Sequence, residues 1–181
     1  MSEDRTDRTF TDYHRAHRHA AMTQDEDSPA FDMPEVGSRY PCSSLPPLEA
    51  ATWVREAHPE RFWTFDLALF EAFFGRTEDI GHPKVLARIA ASAGLDPSAL
   101  DQVLATGRFR PIVLQEHTEA TSQGFHNVPT ILVPGHGPVV GAVPYADLRR
   151  AVQRALQRGL GHGRATPVSD RTGTREGNAR S

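Results

Sequence analysis

A mostly helical α/β fold is predicted, made of a block of five helices, a β-hairpin and one closing helix. Three observations carry this. Between Leu45 and Ala120, apolar residues recur at helical spacing in segments punctuated by Gly and Pro. The pattern then shortens to β-branched runs at 128–133 and 138–142, with Pro134-Gly135-His136-Gly137 as a turn between them. A last helical pattern opens near Pro144.

Taken in order, Leu45, Leu48, Ala51 and Val54 mark the inward face of a first helix that runs to about His58. The second helix spans 62–74. Its apolar side chains occupy almost the whole circumference, so it is expected to be covered on most sides and to form the centre of the core. Gly75 suits its end, and Trp53 and Trp63 are read as packing residues. A third helix, 83–93, turns Val85, Leu86, Ile89, Ala90 and Ala93 inward before Gly94. Asp96 caps the fourth, with Pro97 at its first position, where the missing N–H has no helical partner to lose. Leu100, Val103 and Leu104 form its buried stripe, and Gly107 stops it. The fifth, 111–122, faces Ile112, Val113 and Ala120 inward. After the hairpin, Tyr145, Leu148, Val152 and Leu156 form the apolar face of the closing helix, with Arg149, Arg150, Arg154 and Arg158 on its other sides.

Outside this block the sequence is polar. Residues 1–37 and 159–181 hold few apolar anchors, and both are expected to be largely disordered, the first at most weakly helical. The packed region is therefore expected to divide into a helical subdomain at 38–123 and a ββα part at 124–158. A formal net charge of −3 gives no sign of nucleic-acid binding, and no apolar run reaches membrane-spanning length. The acidic start, with Glu3, Asp4 and Asp7, is unlike a secretory signal, so a cytoplasmic protein is expected. His14, His17 and His19 lie on a short helical pattern, but their spacing does not aim three imidazoles at one point, and no metal site is assigned to them. His117 and His126 are read as solvated positions.

Three stretches, taken together in this order, carry a family resemblance. They are Phe70-Glu71-Ala72-Phe73-Phe74 followed by Asp79-Ile80-Gly81-His82-Pro83-Lys84-Val85-Leu86; then Ala91-Ser92-Ala93-Gly94-Leu95-Asp96; then Gly124-Phe125-His126-Asn127-Val128-Pro129-Thr130 with Val140-Gly141-Ala142-Val143-Pro144-Tyr145. From about Tyr40 to Leu156 the chain resembles the DsbA family. The likeness is strongest to its FrnE-type branch, which is related to hydroxychromene-carboxylate isomerases and kappa-class glutathione transferases. The resemblance implies a thioredoxin-like α/β fold with a helical insertion, thiol–disulfide oxidoreductase chemistry and no cofactor. It also implies that Pro129 is the cis-proline of that fold, and that Val128 before it offers main-chain groups to an extended substrate.

One part of that pattern is missing. The family's dithiol, Cys-x-x-Cys, sits where a first strand meets a first helix, whose N-terminus stabilises the attacking thiolate. The chain has a single cysteine, Cys42, and residue 45 is Leu, so neither Cys-x-x-Cys nor Cys-x-x-Ser is present. Cys42 precedes a helix and is a weak candidate for a functional thiol; by register it sits at the junction into the helical insertion. The fold expected is therefore an incomplete thioredoxin fold lacking its N-terminal βαβ unit. The edge Thr130-Ile131-Leu132-Val133 would then be bare, and something should cover it: a second copy, a separate N-terminal piece or an upstream extension. Three readings follow: an oxidoreductase homologue without dithiol activity as given, a non-catalytic binding or assembly protein using the strand edge, and a remnant of a glutathione-dependent isomerase relative. Self-association is expected, with a protein or peptide partner at that edge.

Overall fold

The computed structural model describes residues 8–41 and 43–161, with side chains as far as Arg158. The chain divides into two compact units, residues 1–128 and 129–181. The order of elements follows the sequence reading: α1 Asp12–Met22, α2 Leu45–Ala57, a 3-10 turn Pro59–Arg61, α3 Phe62–Phe70 continuing as a π-helical turn Glu71–Gly75, α4 Pro83–Ser92, α5 Pro97–Thr106, α6 Arg110–Ser122, β1 Thr130–Ile131, β2 Val139–Val140 and α7 Tyr145–Gly161.

The core of the first unit gathers Trp53 and Val54 of α2, Phe65 and Leu69 of α3, Leu86 and Ile89 of α4, Leu100 of α5, and Phe109 just ahead of α6. Local signals set the helix boundaries. The Asp96 side chain accepts from the Ser98 N–H at 2.9 Å and caps α5. At the end of α4, Gly94 takes a positive φ of 75°, and the N–H groups of Gly94 and Leu95 bond back to the carbonyls of Ala91 and Ala90. The inward face of α2 is rotated from the one predicted. Ala50, Trp53 and Val54 are buried while Leu48 is exposed. Glu49 is also buried, its Oε1 accepting from Arg110 Nε at 2.9 Å and its Oε2 without a partner among the described residues.

Two expectations are corrected. The second helix is not covered all round: Phe65 and Leu69 are buried, but Trp63 is 71% and Leu67 66% exposed, and Phe70 is exposed beside them. A nine-residue helix that is apolar but for Thr64 and Asp66 found partners for one face only. Order also begins well ahead of residue 38, inside the stretch expected to be largely disordered. Residues 8–10 pair with 37–40 through the Thr9–Arg39 bridge, the Phe10 N–H donating to Ser38 O and the Tyr40 N–H to Arg8 O. Phe10 is wholly buried.

The anchor is Arg18. Its guanidinium is buried, within 5.3–5.9 Å of the ring centres of Phe10, Tyr40, Phe73 and Phe74. It donates to Asp32 O at 2.6 Å, Phe73 O at 3.1 Å and Thr77 Oγ1 at 3.2 Å. A planar cation that stacks on rings while its edge donates to carbonyls suits this place; lysine would not. Composition gave no hint of order here because one buried arginine, rather than a run of apolar residues, fastens the segment.

The second unit is small. Thr130 pairs with Val140 and Ile131 with Val139, antiparallel. Pro134 and Gly135, with a φ of 73° at the glycine and the His136 N–H bonded to Val133 O at 3.0 Å, form the connecting turn. Arg158 Nη1 donates to Gly135 O at 3.1 Å, tying α7 to that turn. The strands are shorter than the runs that predicted them. The expected tail from 159 falls largely outside the described residues.

Candidate functional site

The loop that carries Val128 and Pro129 leaves α6 through a glycine stop. Gly124 adopts φ 85°, its N–H donates to Thr121 O and the Phe125 N–H donates to Ala120 O, each at 3.0 Å. This arrangement satisfies two of the helix's last carbonyls and turns the chain away. Val128 ends the first unit and Pro129 opens the second. Val128 is 94% exposed, and neither its N–H nor its carbonyl has a backbone partner among the described residues. The Pro129 carbonyl accepts from the Gly141 N–H at 2.8 Å, which sets the start of the β1–β2 ladder.

Within the first unit, Val128 lines a groove of about 440 Å³ between α2 and α3, with Leu48, Asp66, Phe70, Phe73 and Ile80 among its walls. Its walls are apolar almost throughout. Asp66 is its one charged lining residue, an acidic side chain in the middle of an apolar helix. Burial alone pushes its carboxyl above the usual carboxylate range. No hydrogen bond or ion pair of Asp66 is found among the described residues. A second apolar depression, of about 490 Å³, lies within the second unit between Ile131, Leu132 and Val133 on one side and Val152 and Leu156 on the other.

The DSBA-like thioredoxin domain matches residues 38–153, more than half of the chain. The chain belongs to the DsbA-like thioredoxin family. A crystal structure of a protein provisionally called a protein disulfide isomerase, from Nitrosomonas europaea, superposes with a TM-score of 0.66 at 21% identity, covering 84% of this chain and 78% of that one. No curated protein matches the sequence. The expected thioredoxin-like α/β class stands, as an incomplete version of it: mostly helical, with a two-stranded antiparallel sheet.

Val128 and Pro129 are adjacent and exposed. Cys42 lies outside the described residues. His117 and His126 are exposed, and Trp53 is core packing as expected, whereas Trp63 faces outward. His14 works locally: its Nδ1 accepts from the Thr11 N–H at 3.0 Å, and its ring stacks on Tyr40 at 4.6 Å. Burial, then the charges of Arg8, Arg18 and His17, hold its pKa below the usual histidine value. Among the described residues, no helix is long and apolar enough to cross a membrane.

Sequence reasoning missed Asp66 and the groove around it. The signal was present, since a lone carboxylate within Phe62-Trp63-Thr64-Phe65-Asp66-Leu67 should have argued against a helix covered on all sides.

Proposed function

We propose that this chain supplies the substrate-docking and helical parts of a FrnE-type thiol–disulfide oxidoreductase and has no dithiol turnover of its own. One observation carries the reading: the chain belongs to a dithiol family yet holds a single cysteine. A lone thiol can attack a disulfide, but it has no second thiol in the chain to resolve the mixed disulfide that results. Pro129 is the cis-proline in this reading. Val128, exposed and with its main chain open, is the residue that pairs with an extended substrate, which the bare N–H and carbonyl support.

Turnover of the full chain tests this. Insulin reduction by the 181-residue protein is expected to run at the rate of a free-thiol control. Faster turnover that disappears in Cys42→Ser would overturn the reading and make Cys42 catalytic.

A second reading, assembly through Ile131-Leu132-Val133, is favoured by the apolar depression those residues share with Val152 and Leu156. It expects a self-associating chain. Sedimentation should show a concentration-dependent mass that Leu132→Asp returns to that of a monomer; a monomer at every concentration would remove this reading.

A further inference from the structure

The α2–α3 groove has a feature that a simple packing defect would lack. It is apolar and open, and among the described residues the main-chain groups of Val128 at its border and the carboxylate of Asp66 in its wall have no partner. We propose that the groove beside Val128 binds an extended peptide carrying a large apolar side chain and, on the same side of the strand, a lysine or arginine that pairs with Asp66. Asp66 is then a specificity-determining residue. The inference rests on the reading of Val128 as a peptide-docking residue.

Chemistry selects this occupant. An extended peptide hydrogen-bonded to Val128 presents alternate side chains to one face, so two residues separated by one position would both point at the groove. Leu48, Phe70, Phe73 and Ile80 offer an apolar wall to the first. The volume, about 440 Å³, lies inside the range of roughly 300–1,000 Å³ found for pockets that enclose a small ligand. The second side chain meets a partly buried carboxylate on the groove wall that has no counter-charge among the described residues and whose pKa burial raises. A cation brought there gains more than it would at a solvated surface.

A second copy of α3 is a poorer occupant. The residues flanking its exposed stripe of Trp63, Leu67 and Phe70 include Glu60, Asp66 and Glu71, so two such faces would oppose like charges. Glu71 is already paired with Arg76, and Glu60 lies in the turn before the helix, which leaves Asp66 as the acid facing the groove.

The test uses the full chain and two blocked pentapeptides, alternating serine with phenylalanine and lysine in one and with phenylalanine and glutamate in the other. Binding is followed by amide and methyl chemical shifts of Leu48, Phe70 and Val128. The lysine peptide is expected to shift these signals and to bind about fivefold more tightly than the glutamate peptide. Asp66→Asn should erase that preference, while Leu48→Ser, at an exposed wall position, should weaken both peptides alike. Acidification through the raised Asp66 pKa should also remove the preference, because the neutral acid no longer distinguishes the two peptides. Equal binding of the two peptides by the native chain, or an unchanged preference in Asp66→Asn, overturns the assignment of Asp66. Absence of groove shifts with either peptide overturns the groove itself, as do groove signals that move on dilution without peptide, which would assign it to a second copy. Because binding needs no turnover, catalysis above the free-thiol control with peptide binding intact would remove the proposed function and leave the groove standing. The reverse result would do the opposite.

Discussion

The two units of this chain bury apolar surface to different degrees. Residues 8–128 close a core in which Val54, Phe65, Leu86 and Leu100 are fully buried. In residues 129–158, Val133 and Ala151 are buried, while Leu132, Val140, Val152 and Leu156 are exposed. The second unit is no less apolar in sequence than the first. The difference is one of partners: six helices can cover one another, whereas two two-residue strands and one helix leave sheet edge and helix face bare. The first unit buries a core of its own, and the second leaves most of its large apolar side chains exposed.

Matched truncations should show this most strongly. Leu86→Ala, in the first core, is expected to lower stability by about 3 kcal/mol, the cost of a cavity in close-packed surroundings. Leu132→Ala should cost less than about 0.5 kcal/mol, because that side chain is already largely in water. Urea unfolding of both variants measures the contrast, and equal losses would erase it.

The next effect concerns the N-terminal segment. Arg18→Met removes donors from the carbonyls of Asp32 and Phe73 and takes the cation out of its ring of aromatics; a loss of about 3 kcal/mol is expected. Limited trypsin digestion should then cut early at Arg15. Unchanged resistance would show that the segment is held by Phe10 and Tyr40 alone.

Smaller again is Arg110→Met, which leaves the buried Glu49 carboxylate with neither oxygen paired. About 2 kcal/mol is expected, read from the urea midpoint. Glu49→Gln in that background should recover part of it, since a neutral amide is less costly to bury than a lone charge.

The smallest effect is in pH. His14 accepts a hydrogen bond at Nδ1, which requires the neutral ring, and its folded pKa is below the unfolded value of 6.5. The unfolded chain therefore binds this proton first as pH falls. The contribution is fully present above about pH 6.5 and is lost as pH falls from there through the lowered folded value. Amide exchange at residues 10–18 should quicken from about pH 7 to about pH 5, after correction for intrinsic rates. His14→Gln keeps an acceptor at the third helical position and should abolish the added pH dependence.

Legibility in the sequence followed the same division. Helices whose ends carry their own signals were placed within a residue or two: Asp96-Pro97 opened α5, Gly94 closed α4 and Gly107 closed α5. The fold class was legible because the order of helical block, hairpin and closing helix is written along the chain. What escaped were tertiary facts. The true inward face of α2 depends on where α3 and α6 lie, so Leu48 was turned the wrong way. Arg18 was invisible because its four rings come from positions 10, 40, 73 and 74, which no local window contains. Of the candidate site, Val128 and Pro129 were named through family resemblance. The groove beside Val128 emerged only when α2 and α3 were seen to leave Phe70 open.

Hydrogen exchange of the full chain at low concentration tests the central claim most directly. If the second unit lacks its cover, amides of α7 and of Ile131 should exchange orders of magnitude faster than those of α3 and α4, and addition of a covering partner should slow them selectively. Equal protection across residues 45–158 in a dilute monomer would contradict the account, because the ββα part would then be stable with its apolar faces bare.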